Sequence, residues 1–385
     1  MSRNSRLPWF VAACGLVAAA AIVAGCGIFS NPPAPTTTGP SGTGPATPNL
    51  SPGASTQTTN APTAAPTNPV KSIVLISAIG ESGDGTPSEL AWRGVQDAAS
   101  LLGVRPERVI PVSMAGVTAA VNQAADNGST IVMTVGPDAV QAVLDNADNH
   151  PATQFFELDQ TIADGAPANV HGLVFDETEA GYLAGFVAAS VTASDRIGMV
   201  GFTKTDVRTA NYANGFRSGA MDANPKVKVT VAYATRTDNP QKGRAATDGL
   251  VKAKADVILA MSDLTGAGVM REACARNASV VALDTDASLV LPDVDPCLVV
   301  SVLERYDVAT HDAILAYAAK EPISAVTVFD VANGGIGLSD FHEAVTPDLQ
   351  DRLAGVVAAM RSGPPRPTPT PAPTLTASPV ASQKP

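Results

Sequence analysis

Charge is missing from a long stretch of this chain. Residues 31–70 carry no Asp, Glu, Lys or Arg, and ten prolines stand there among Thr, Ser, Ala and Gly. Such a segment buries too little apolar surface to offset the entropy of ordering its backbone, so an extended tether is expected. At ~3.1 Å per residue in the polyproline limit it could reach on the order of 120 Å. Residues 363–385 repeat the composition, with eight prolines. Aromatic residues make up only 4% of the chain, and the formal net charge is −11. An acidic protein so poor in stacking side chains is a poor nucleic-acid binder.

The reactive residue types are few as well. The four histidines, His150, His171, His311 and His342, do not follow a strand beside a nucleophile-like Ser or Cys, and there is no G-x-S-x-G elbow. This argues against hydrolytic catalysis. Of four cysteines, Cys14 lies in the apolar leader, and no Cys-x-x-Cys or His-rich spacing suggests a metal. The glycine-rich turn at 80–88 lacks the phosphate-binding G-x-x-x-x-G-K-[ST] pattern, and its Glu81 and Asp84 would repel a phosphate.

What is present begins with an export signal. Arg3 and Arg6 precede a nearly continuous apolar run over 9–25 that ends in Val23-Ala24-Gly25-Cys26. Small residues before a cysteine fit a lipobox, with cleavage before Cys26 and lipid on its thiol. The alternative is an uncleaved signal anchor, since seventeen apolar residues almost span a bilayer. Cys274 and Cys297 remain. In an oxidising compartment they are expected to form a disulfide, the alternative being two buried thiols.

Residues 71–362 exceed one compact core and predict two lobes. Short β-branched runs at 72–78, 108–112, 130–135, 154–158 and 170–175 alternate with helical patterns at 87–102, 117–127 and 137–149. The rhythm resumes with strands at 196–201, 227–234, 256–261 and 279–283, and helices near 207–224, 240–254 and 266–277. A long apolar helix at 177–193 joins the two runs, and its Gly181 and Gly185 allow close packing. The fold class expected is α/β, with two doubly wound, mostly parallel lobes. Lobe 1 is expected over 71–176, completed at about 305–325, and lobe 2 over 177–304, completed at 326–362.

In open α/β sheets a ligand sits beyond the carboxyl ends of the strands, and two facing sheets make a cleft there. Asp84, Asp159, Asp263, Asp284 and Asp286 each follow an apolar run. A lone acid in that position usually caps a helix. Five at the same end of two sheets suit hydroxyl or N–H donors on a small polar molecule, because ionised carboxylates only accept hydrogen bonds.

A series of blocks then resembles the basic membrane protein family, the substrate-binding lipoproteins that include purine nucleoside receptors. The blocks are Tyr182-Leu-Ala-Gly185, Arg196-Ile-Gly-Met-Val-Gly201, Tyr212-Ala-Asn-Gly-Phe-Arg-Ser-Gly219 and Ala255-Asp-Val-Ile-Leu259. Thr265-Gly-Ala-Gly268, Leu283-Asp-Thr-Asp286, 301–307 and Gly334-Gly-Ile-Gly337 continue it, all in the family's order. The resemblance implies a type 1 periplasmic binding protein fold, two lobes joined by three hinge crossings. It also implies a monomeric receptor on the outer face of the cell membrane, with no cofactor and an ABC permease as partner. The ligand would be a small polar solute (nucleoside, sugar or cation). A sensory or degenerate lipoprotein is the alternative.

Carried over by position, Asp84 matches an acid in the loop after the first strand, and Asp159 a base-facing acid. Tyr212 takes the place of an aromatic that stacks on the purine. Gly266 falls in a backbone turn near the ligand, and Asp284 on an acid that holds ribose hydroxyls. The departures are Pro87 and Ser88, where the family has Phe then Asn, and Glu304, where it has a ribose-facing Lys. Carboxylates left without that cation suit a cationic ligand or raised pKa values.

Overall fold

A computed structural model describes residues 68–363 except Ser82 and Ser262. The leader, Cys26, the tether up to residue 67 and the tail after Gly363 lie outside the described residues, and the lipid-anchor expectation lies there with them.

The chain alternates as its hydrophobic pattern demands. In order come β1 (Ile73–Ile76), α1 (Pro87–Leu102), β2 (Glu107–Val109), α2 (Met114–Asp126), β3 (Ile131–Val135), α3 (Val140–Ala147), β4 (Gln154–Leu158) and β5 (Val170–Phe175). Next are α4 (Glu177–Val191), β6 (Arg196–Gly201), α5 (Val207–Ala223), β7 (Lys228–Tyr233), α6 (Pro240–Lys252), β8 (Val257–Ala260), α7 (Leu264–Ala275) and β9 (Ser279–Asp284). The short α8 (Ala287–Val290), β10 (Leu298–Glu304), α9 (Tyr306–Ala318), β11 (Val326–Phe329), β12 (Ile336–Leu338) and α10 (Pro347–Ser362) complete it. Helix starts are fixed locally. Thr86, Asp176, Asp206 and Asp263 each accept a hydrogen bond from an N–H in the first turn of the helix that follows.

Two six-stranded sheets result, in the orders β11-β5-β4-β3-β1-β2 and β12-β10-β9-β8-β6-β7. The first is parallel throughout, and in the second only β12 runs antiparallel, against β10. The inner strands are therefore apolar on both faces: all of β1, β3 and β8 is buried. One large core takes in Val95 and Phe175 of the first lobe and Phe216 and Leu283 of the second. Smaller cores cover the outer face of each sheet.

The chain passes between the lobes three times: into α4, out through α9 and back before β12. Three bonds tie the crossings together. The Asp176 N–H donates to the Phe329 carbonyl at 2.9 Å, the Arg305 N–H to the Gly335 carbonyl at 2.8 Å and the Val331 N–H to Glu179 Oε2 at 2.9 Å. One expected boundary shifts. The return to the first lobe does not stop at 325, because β11 pairs with β5 along Val326–Phe329 and completes that sheet. The final crossing falls between β11 and β12.

The helices α4 and α5 cross at backbone distance. A Cβ on Gly181 or Gly185 would strike the carbonyl oxygen of Tyr212 or Phe216, and one on Gly215 or Gly219 would strike that of Thr178 or Tyr182. Each helix thus offers two glycines four residues apart to the other's backbone. Farther out, Cys274 of α7 and Cys297 are joined by a disulfide, with their Cα atoms 5.5 Å apart. No helix among the described residues is long and apolar enough to cross a membrane.

Candidate ligand-binding site

The acids at the strand ends divide by what holds them. Asp263 caps α7 through the Gly266 N–H at 2.5 Å, and Asp286 caps α8 through the Ser288 N–H at 3.0 Å. Asp84 does not join the acids that meet in the cleft: its side chain is 87% exposed and faces Arg93 of α1, at 3.7 Å. Its neighbour Gly85 lies against Leu289 and Val290 of the second lobe. Asp159 and Asp284 behave differently. Both adopt left-handed backbone, with φ of 59° and 74°, a region that few side chains tolerate and that costs of order 1 kcal/mol or more. Asp159 directly follows β4 in the first lobe, and Asp284 ends β9 in the second.

These two carboxylates belong to one network that crosses the cleft beside the hinge. Arg208, in the first turn of α5, donates from Nη1 to Asp159 Oδ2 at 2.8 Å and from Nη2 to Glu304 Oε1 at 3.4 Å. Its Nε lies 3.5 Å from Glu177 Oε1. One turn on, the Tyr212 hydroxyl donates to Asp284 Oδ1 at 2.9 Å and lies 2.6 Å from Glu304 Oε1. The Tyr306 hydroxyl reaches Glu304 Oε2 at 3.1 Å, and its ring packs on Phe175 at 4.8 Å between centroids. Asn211 Nδ2 donates to Glu177 Oε2 at 3.3 Å. First-lobe Asp159 and Tyr306, second-lobe Arg208, Tyr212 and Asp284, and the crossing residues Glu177 and Glu304 thus meet in one place.

Burial sets the electrostatics. It lifts the Asp159 carboxyl above the usual range, with Arg208 opposing the rise and Asp284 adding to it. Burial also carries Glu304 well above its ordinary value, reinforced by Asp284 and Asp159. Glu177 is pushed to about 7 by burial, with Arg208 opposing and Asp159 adding. Both tyrosines are raised well above 10, first by burial and then by the neighbouring carboxylates, so they remain hydroxyl donors.

Other expected site residues have structural roles in this arrangement. Ser88 is fully buried. Its Oγ donates to Glu81 Oε2 at 2.5 Å and accepts from the Ala78 N–H at 3.0 Å, closing the turn before α1. Gly266 sits in the first turn of α7, where a Cβ would collide with the Met261 carbonyl. With Asp263 and Thr265 it borders a cavity of about 10 Å³, room for one water. Glu304 is only 1% exposed; it accepts from Tyr306 and Arg208 and lies 2.6 Å from the Tyr212 hydroxyl. It anchors the donors around the site instead of presenting a free carboxylate. Tyr212 is likewise fully buried, with its hydroxyl in the network.

Sequence reasoning missed Arg208, Glu177, Asn211 and Tyr306. The available signal was spacing: Arg208 and Tyr212 stand four apart on α5 and share a face. Tyr306 stands two residues past Glu304.

Comparison with known proteins places this arrangement of two parallel-rich lobes in a family. Residues 78–358 match the family described as ABC transporter substrate-binding protein PnrA-like. The chain belongs to the basic membrane protein family. Among its relatives, the ABC transporter nucleoside-binding protein BmpA of Lactococcus lactis is 27% identical over 248 residues, 60% of this chain and 69% of that protein. The CD4+ T-cell-stimulating antigen of Listeria monocytogenes is 24% identical over 296 residues, 72% and 82% of the two chains. An ABC transporter solute-binding protein from Conexibacter woesei shares the fold, with a TM-score of 0.63 at 22% identity over 78% of this chain and 99% of that one. Its counterpart from Aeropyrum pernix gives 0.57 at 22% identity, covering 76% and 86%. The family description is that of a substrate-binding protein of ABC transporters, and the network described above is the candidate site.

Proposed function

We propose that this basic membrane protein is a lipid-anchored, extracytoplasmic solute receptor. It captures a small polar ligand, nucleoside-like or sugar-like, between its lobes and hands it to an ABC permease. The observation that carries this reading is the pair Asp159 and Asp284. Each stands on left-handed backbone at a strand end, one per lobe, and both enter the same network. Closing the lobes by hinge motion would bring both acceptors onto one ligand. The nucleoside-binding name of the Lactococcus relative supports the ligand class, and the export signal ending at Cys26 supports the anchor.

The test is native mass spectrometry of gently purified protein, followed by a thermal-shift panel of nucleosides, sugars and amines. At least one class should raise the melting temperature saturably. Asp159→Asn or Asp284→Asn should then weaken binding by roughly 10- to 100-fold, the loss of a charge-assisted hydrogen bond. If no class binds, the receptor reading fails. For the anchor, Cys26→Ala should move the protein from the membrane fraction to the soluble one or leave it as an uncleaved precursor. Unchanged processing and unchanged lipid labelling would refute the lipobox.

A further inference from the structure

The network holds a guanidinium among carboxylates, and that guanidinium is the protein's own. It fits imperfectly. Only the bond from Arg208 to Asp159 is short, at 2.8 Å. The approaches to Glu304 and Glu177 are 3.4 and 3.5 Å, and Nε is buried without a hydrogen-bond partner among the described residues. A guanidinium has five N–H donors in a planar fork and is best satisfied when a carboxylate takes two at once. Arg208 is tethered to α5 and cannot turn its fork freely. It also stands in the first turn of that helix, the end that disfavours a cation.

Charge balance leads the same way. Asp159 faces Arg208 from the end of β4, Glu177 from α4 and Glu304 from β10. Asp284 lies close by on β9 and Asp263 ahead of α7, and the tyrosine hydroxyls are neutral. Among the described residues, five acids thus stand around Arg208. One guanidinium serves all five, and a second cation among them would favour their charged forms, which burial opposes. Arg208 is also able to yield its place, because 30% of its side chain is already exposed and long cationic side chains extend readily into water.

The geometry points to a ligand bearing a guanidinium or amidinium group, which displaces Arg208 from Asp159 and engages that carboxylate with two N–H donors. This rests on the receptor reading but departs from its nucleoside-like or sugar-like ligand, in favour of planar, donor-only cations. Arg208 then acts as an occupant that a solute must outcompete. A compact monovalent ion with no fork of donors gains too little at Asp159 to do so.

Agmatine and benzamidine serve as probes, with guanosine and galactose as neutral comparators, titrated calorimetrically into wild-type protein and Arg208→Ala. Both cations should bind the wild type saturably and bind Arg208→Ala at least tenfold more tightly. Millimolar guanidinium chloride should raise the melting temperature of the variant and leave the wild type unmoved. If Arg208→Ala does not fold, Arg208→Gln replaces it, and the wild-type titration stands alone. Neutral solutes binding where the cations do not would overturn the inference and leave the receptor reading intact. Equal affinity of the cations for wild type and variant would overturn it too, by placing them elsewhere. If none of the four binds, the inference fails, and the receptor reading then rests on the wider ligand panel.

Discussion

Gly185→Val should destabilise the protein by roughly 3 kcal/mol or more, at the upper end of overpacking costs. Added atoms at this position meet the backbone carbonyl of Phe216, not the end of a flexible side chain, so relief requires α4 and α5 to separate. The separation would spread, because Leu183, Ala184, Phe186 and Val187 of α4 are buried in the large core. For a domain of this size a melting temperature lower by about 5–10 °C is expected. Gly355→Ala in α10 is the matched control. A Cβ there meets nothing within 4 Å, and the exchange should stabilise by up to about 1 kcal/mol through the unfolded chain. Equal effects from the two substitutions would mean that the glycine crossing does not hold the helices together.

Glu157→Gln should remove about 3 kcal/mol of pH dependence from folding. Glu157 lies on β4, fully buried, and accepts from Thr134 Oγ1 at 2.6 Å. Its Oε1 is buried without a hydrogen-bond partner among the described residues. Burial therefore raises its pKa to about 7, with the Thr134 hydrogen bond opposing. The unfolded chain releases the same proton near 4.5. Between those values the folded protein binds more protons than the unfolded one, so stability falls as pH rises through this window. The span converts to roughly 3 kcal/mol at about 1.4 kcal/mol per pKa unit. Glu177, at about 7, gives a slope of the same sign, and the substitution at Glu157 would leave that part in place. Urea unfolding of wild type and variant at pH 5, 6, 7 and 8 measures the difference. Parallel profiles would show that Glu157 is not the buried titrating group.

Much of this architecture was legible, and the exceptions have physical causes. Up to Leu283 the alternation of buried strands and one-sided helices is regular, and the strand and helix positions read from it agree with those observed to within a few residues. After Asp284 the rhythm breaks. The helix α8 has four residues, a proline-containing turn follows at Pro292–Cys297, and α9 and β11 return to the first lobe. Local periodicity cannot show to which sheet such a segment goes. Within the site, Asp159 and Asp284 stood out as acids directly after apolar strands. Arg208 did not, since an arginine in a helix's first turn reads as a solvated residue. Its partners Asp159 and Glu304 are 49 and 96 positions away in sequence. Ser88 carried a positional match into a turn whose own hydrogen bonds occupy it, while the Asp84 carboxylate stands exposed beside Arg93.

The backbone at Asp159 and Asp284 limits how this receptor can diverge. Asparagine and glycine are the residues best able to replace aspartate at positive φ, so glutamate, serine or a β-branched residue there would carry a backbone cost of order 1 kcal/mol or more. The one exchange that keeps both main-chain shape and side-chain size is aspartate to asparagine, which trades a pure acceptor for an amide that also donates. Descendants of this chain that acquire new solutes should therefore do so by single-step amidation at one lobe or the other, leaving the scaffold untouched.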